Sequence, residues 1–118
     1  MMKTRCGMRY KRGDIVLVRF PFTNLTQSKR RPVLVIKDES DFHDIVCLQI
    51  TSNGRQSNLL EITHHDFTHD HLPITSFVKY DKCFTLSSEI IDKKLTSLKP
   101  KMLEKLKMLF CDGILQDL

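Results

Sequence analysis

The chain has 118 residues, 41% of them hydrophobic and 28% charged, with 19 Lys plus Arg against 14 Asp plus Glu and a formal charge of +5. This is one domain's length with enough apolar material for a core, which excludes a globally disordered chain. No run approaches the roughly 20 consecutive apolar residues that span a bilayer, and the polar, basic residues 1–11 lack an apolar stretch of signal-peptide length, so a cytoplasmic protein without membrane contact is expected.

In chain order, a turn at Gly13-Asp14 leads into residues 15–20 (IVLVRF), a β-branched apolar run of strand length. Residues 21–30 are polar and read as a loop. Residues 33–36 (VLVI) form a second predicted strand, with Pro32 at its start, where a missing backbone donor is best tolerated. After a turn over residues 38–44, residues 45–50 (IVCLQI) make a third strand running into the Thr51-Ser52-Asn53-Gly54 punctuation, and Leu59–Ile62 a weaker fourth. Residues 63–75, histidine-rich and broken by Pro73, read as a loop, and two short strands follow at 76–80 and 82–86. Helical spacing appears only late: Leu98, Met102, Leu103, Leu106, Leu109, Phe110 and Ile114 recur at threes and fours, with Pro100 in the first turn and Gly113 just past the end.

Strands first and a helix last disfavour a doubly wound α/β fold. The expected architecture is mainly β with a C-terminal helix: a small, strongly bent antiparallel sheet or partly open barrel, on which the helix packs.

Charge is segregated along the chain. Residues 1–37 hold ten Lys and Arg and one acid, residues 38–78 one base and seven acids, and residues 79–118 eight Lys and six acids. A basic first third containing Lys29-Arg30-Arg31 suits a polyanion, because neutralising phosphates releases their counterions. A solvated basic face with no partner stays open on charge alone. The acidic middle allows only one positive face.

Cys6, Cys47, Cys83 and Cys111 form no C-x-x-C pair, so they are expected to be free thiols, with Cys47 and Cys83 packed inside apolar runs. The cluster His64-His65-Asp66 and His69-Asp70-His71 offers metal-ligand chemistry, but a predicted loop lacks the rigid scaffold that a metal centre needs, so no metal site is expected. His43 stands alone in a turn. There is no G-x-S-x-G elbow, phosphate-cradling glycine loop or paired catalytic Cys and His. The remaining chemistry is that of side chains acting on a polyanion. Arg31 at a strand start and Thr51-Ser52 at a strand end could together hold a phosphate and stabilise charge developing on its oxygens. An ordinary surface charge and a strand-end hydroxyl remain the plainer alternatives.

Four segments in order carry a resemblance. Lys11-Arg12-Gly13-Asp14-Ile15-Val16-Leu17-Val18 is similar to the "RGDI" opening strand of the MazF/PemK family of toxin endoribonucleases, and Phe20-Pro21-Phe22-Thr23 continues it. Arg30-Arg31-Pro32-Val33-Leu34-Val35-Ile36 resembles the family's "RPxLVI", Gln49-Ile50-Thr51-Ser52 its strand ending in Thr-Ser, and residues 76–82 (SFVKYDK) its "SxVxxDK". The match covers roughly residues 10 to 112.

The resemblance implies a small SH3-like barrel of the MazF/PemK/CcdB type, with residues 1–10 a basic leader and 11–118 one toxin domain. It implies a homodimer that cuts single-stranded RNA at short motifs without metal or other cofactor, leaving 2′,3′-cyclic phosphate and 5′-hydroxyl ends, and a cognate antitoxin protein that occupies the RNA groove. The family's catalytic Arg before Pro falls on Arg31 and its strand-end Thr on Thr51. An Arg and an Asp that take part in some members fall on Lys79 and Asp81, and Lys cannot give the planar bidentate contact of Arg. Members with a catalytic His in the first loop have no counterpart here. Asp81 is then the candidate base and Lys79 the candidate acid, an alternative giving Arg31 the proton-transfer role. Phe22, Thr23, Lys29, Arg30 and Ser52 are the expected RNA contacts, by stacking, hydrogen bonding and charge. The competing expectation is a non-catalytic barrel of the same fold that binds RNA, antitoxin or a protein target such as DNA gyrase.

Overall fold

The structure, a computed structural model, describes residues 9–21, 28–69, 72 and 74–115. Six strands, β1 (Asp14–Pro21), β2 (Ser28–Lys37), β3 (Asp44–Thr51), β4 (Leu59–Ile62), β5 (Ser76–Ser87) and β6 (Ile91–Ser97), precede the helix α1 (Pro100–Leu115). They form one sheet in the order β4-β5-β3-β2-β1-β6, with every pairing antiparallel. The sheet is an open one: β4 and β6 are its edges.

Alternation along the strands separates two apolar clusters. Ile15, Leu34, Leu48, Ile50 and Val78 point to one face, where Leu98 and Leu106 cover them. Val16, Val18, Val33, Val35, Ile45 and Cys47 point to the other, where Phe84 and Leu86 from the far half of β5 and Ile91 from β6 pack against them. Burial on both faces is why β1 and β2 read as unbroken apolar runs. The second face is closed over by the sheet's own ends, so the sheet must curl, and β5 supplies a bend. Leu48 and Gln49, adjacent on β3, pair with Cys83 and Lys79, so Tyr80, Asp81 and Lys82 are extra residues in a bulge.

Several boundaries differ from expectation. Pro21 and residues 28–30 are strand rather than loop, because the β1–β2 ladder continues through Phe20↔Lys29 and Pro21↔Ser28. Pro32 lies inside β2, opposite Leu17, but the β2–β3 ladder begins only at Val33, so β1 is its one paired neighbour there and a missing donor is tolerated. The two strands expected at 76–80 and 82–86 are one bulged strand. β6 lies beyond the expected strands: it carries Lys93 and Lys94 and few apolar residues, as an edge strand can, and its register with β1 shifts twice. Residues 63–75 include a short 3-10 turn, His64–Asp66, in which the Thr63 amide donates to Asp66 Oδ2 at 2.8 Å. Phe67 then plugs the core and bridges Leu98. Gly113 lies within α1 instead of past its end. Cys47 is buried, and burial pushes its thiol up to about 12, whereas Cys83 is exposed, not packed; both, with Cys111, are free thiols. Cys6 lies outside the described residues.

Two polar anchors hold the ends of the sheet. Gly13, with φ +100°, turns the chain into β1 in a backbone conformation that other residues rarely adopt, and a Cβ there would also press on Leu103 Cδ1 at 2.8 Å. Next to it the buried Asp14 accepts from the Lys11 amide at 2.9 Å and from Ser97 Oγ at 3.0 Å. At the β2–β3 turn Glu39, with its side chain 3% exposed, accepts from the Tyr10 amide and Ser88 Oγ and meets His43 Nδ1 at 3.2 Å. Burial opposes its charge, but the bonds from Ser88, Tyr10 and His43 outweigh that and hold the carboxyl below its ordinary 4.5. Because the folded value is depressed, Glu39 stabilises the fold above the unfolded value and loses that contribution as the pH falls through the folded one. Urea midpoints should therefore fall as the pH drops below the ordinary carboxyl value of 4.5, and Glu39→Gln should flatten that fall. An equally steep fall in the variant would place the acid sensitivity elsewhere.

Candidate active site

The sheet face carrying Val33 continues into polar side chains at one end of the strands. Val33 pairs with Gln49, and Gln49 in turn pairs with Lys79. The same β2–β3 register carried two residues further sets Arg31 across from Thr51, and Thr51 pairs with Phe77. Residues two apart on a strand share a face, so Arg31, Gln49, Thr51 and Lys79 converge on one side of three adjacent strands. Residues nearly fifty positions apart in the chain are brought together by strand register alone.

Each side chain has a defined setting. Thr51 Oγ1 accepts the Asn53 amide at 3.0 Å, which leaves the hydroxyl proton to donate outward. Asn53 Oδ1 in turn accepts the Arg55 amide at 3.0 Å, shaping the loop after β3. Gly54 in that loop lies on the Phe77 ring, where a Cβ would come 2.9 Å from Cζ. Lys79 Nζ donates to the Ser57 carbonyl at 3.0 Å and stands 2.9 Å from Asp81 Oδ1, while Asn58 Nδ2 donates to Asp81 Oδ2 at 2.7 Å. Asn58 adopts φ 59°, and its carbonyl accepts the Tyr80 amide at 3.1 Å. The Lys79 ammonium, helped by Asn58, holds the Asp81 carboxyl below its usual range. Both Asp81 oxygens are thus engaged, and the Lys79–Asp81 pair clasps the β3–β4 loop against β5.

The expected RNA contacts separate. Lys29 shares the strand parity of Arg31 and is exposed, and Ser52 is exposed just past β3. Arg30 has the opposite parity. Its Nε lies 3.3 Å from Asp92 Oδ2, and Arg19, its partner across β1–β2, lies 3.5 Å from Asp92 Oδ1. Asp92 on β6 therefore gathers these two guanidinium groups on the other side of the ribbon, away from Arg31. Phe22 and Thr23 lie outside the described residues. Ser57, Asn58 and Asp92 were not legible as site neighbours, since each acts through a turn or strand visible only in the fold.

Among the described residues, no three or more His, Cys, Asp or Glu side chains group as metal ligands; the His64 and His65 ring centroids lie 4.0 Å apart with their planes tilted by 41°, and Asp70 and His71 lie outside those residues. A cleft of about 550 Å³ between α1 and the sheet, lined by Arg12, Ile36, Leu48 and Phe110 among others, contains none of the candidate residues. No helix is long and apolar enough to cross a membrane among the described residues.

A family model described as PemK-like, MazF-like toxin of type II toxin-antitoxin system matches residues 11–112. The chain belongs to this toxin family. PemK/MazF membership agrees with the order of its four segments, and the fold agrees with solved structures. An endoribonuclease in complex with its cognate antitoxin, from a mycobacterial species, superposes with a TM-score of 0.70 at 16% identity, covering 89% of this chain and 94% of that one. A MazE-MazF crystal structure from Deinococcus radiodurans gives 0.73 at 18% identity, over 91% and 96%. MazF alone from the same organism gives 0.66 at 21%, over 93% and 98%. At these identities the likeness establishes the shared fold. None of the curated proteins matches the chain by sequence.

Proposed function

We propose that this PemK/MazF-family chain is the toxin of a type II toxin-antitoxin pair and an endoribonuclease that cuts single-stranded RNA in the cytoplasm. The observation that carries the reading is the convergence of Arg31, Thr51 and Lys79 on one sheet face, within the span of residues 11–112 that matches the family. Related structures supply the precedent: one is an endoribonuclease bound to its antitoxin.

The chemistry follows from these groups. The 2′-oxygen attacks the adjacent phosphorus, the bond to the 5′-oxygen breaks, and the products are a 2′,3′-cyclic phosphate and a 5′-hydroxyl. Arg31 neutralises charge that builds on the non-bridging oxygens, and the Thr51 hydroxyl, oriented by Asn53, donates to one of them. Lys79 brings a second cation and a proton for the leaving oxygen. Asp81 is ionised at neutral pH, as a base must be. The contacts that keep it so also weaken its basicity, so it takes the 2′-hydroxyl proton only as bond formation to phosphorus makes that proton acidic, and between turnovers it holds Lys79. Lys29 and Ser52 extend the contact along the strand, with Phe22 and Thr23 in the adjoining segment.

Catalysis in this reading runs through side chains alone. Protein treated with EDTA should cut a long single-stranded RNA as fast as untreated protein. Loss of cutting with EDTA and recovery with Zn or Mg would reinstate the histidine cluster as a metal site. A homodimer also follows, since one 118-residue domain presents only a short groove and closed two-fold pairs are the commonest assemblies. Sedimentation should give about 28 kDa, twice the 13.8 kDa chain, and a fully active monomer would contradict this.

A further inference from the structure

The interior of the candidate site contains one polar atom that the fold leaves unanswered. Gln49 Oε1 is shielded from solvent and, among the described residues, has no hydrogen-bond partner. Buried acceptors are almost always paired, and one that is not calls for an explanation at its own location. Here the location is informative. Gln49 is central on β3, between Val33 on one side and Lys79 on the other, and two residues before Thr51 on the same face. The cation directly across from it is committed elsewhere, to Asp81 and the Ser57 carbonyl.

We propose that Gln49 is a specificity-determining residue that reads a nucleobase beside the scissile phosphate, with Oε1 accepting from an exocyclic amine. The inference rests on the ribonuclease reading above. A carboxamide offers an acceptor and a donor side by side, and adenine and cytosine present the complementary pair, an amine next to a ring nitrogen. A site with an acceptor held for a substrate amine gains twice: the correct base satisfies the atom, and a base without the amine leaves it buried and unpaired. The shielded amide must turn outward, toward Thr51, to meet the base. Arg31 and Thr51 would fix the phosphate, so the base read by Gln49 is one of the two flanking it.

The test pairs a change in the protein with a change in the RNA. Cleavage of a randomised single-stranded RNA by the parent should require adenine or cytosine at one position flanking the cut. Gln49→Met, which keeps the length and removes the amide, should lose that requirement alone while other positions keep theirs. In a defined substrate, replacing the recognised base by its analogue without the exocyclic amine should lower the parent's kcat/KM about tenfold or more. In Gln49→Met the same replacement should have almost no effect, because the partner is already gone. Gln49→Leu provides a second apolar replacement should Met fold poorly, and circular dichroism confirms the fold of each. Folded variants with the parent's base profile, or full sensitivity to the missing amine in Gln49→Met, would overturn the role of Gln49 and leave the ribonuclease reading standing. A parent protein that neither cuts nor binds single-stranded RNA would overturn both.

Discussion

Arg31→Ala should lower single-turnover cleavage of RNA by roughly a hundredfold or more while changing RNA affinity far less. The guanidinium sits on a paired residue of β2, opposite Val18, so rigid backbone holds it, and its charge counts most when the phosphate oxygens gain charge during attack. An interaction made mainly in the transition state appears in turnover and little in binding. Thr51→Val keeps shape, removes the hydroxyl and should act in the same direction with a smaller effect. Lys29→Ala, by contrast, should weaken binding and flatten its salt dependence, as loss of one phosphate contact does. A folded Arg31→Ala protein that cuts at the parent rate would move the chemistry to Lys79 and Asp81.

The largest effect on stability should come from Leu106→Ala, which should cost about 2–5 kcal/mol. Leu106 is 2% exposed and is the one fully buried side chain of α1 among the described residues, packed in the cluster with Leu34 and Leu48. Truncation removes its transfer energy and leaves a cavity that the β-sheet, fixed by its ladders, cannot collapse to fill. Met108 on the same helix is 64% exposed, and Met108→Ala should change stability by no more than about 0.5 kcal/mol. Equal losses in the two variants, measured by urea denaturation, would mean that α1 is not held through its Leu106 face.

Much of this molecule is readable from residue order, and the parts that are not have physical causes. The runs at 15–20, 33–36 and 45–50 declare strands because both faces of the sheet bury β-branched side chains. α1 declares itself through the spacing that puts Leu106 inward. β6 is concealed because an edge strand with Lys93 and Lys94 needs only one apolar side, and Pro21 and residues 28–30 are concealed because strand pairing overrides polar composition. Arg31 and Thr51 are legible as residue types at strand ends and as positions in a family pattern. Their alignment is not, because it depends on the β2–β3 register, and the separation of Arg30 from Arg31 depends on Asp92, some sixty residues away. The orphan oxygen of Gln49 is a property of packing, and no sequence pattern announces it.

The most direct test of the whole account is the chemistry of the new ends after the protein, with EDTA present, has cut a defined single-stranded RNA. The account predicts 2′,3′-cyclic phosphate and 5′-hydroxyl ends, and no cutting at a site whose attacking 2′-hydroxyl is replaced by hydrogen. Ends bearing 3′-hydroxyl and 5′-phosphate, or undiminished cutting of the 2′-deoxy site, would contradict attack by the 2′-oxygen and the roles assigned to Arg31 and Thr51.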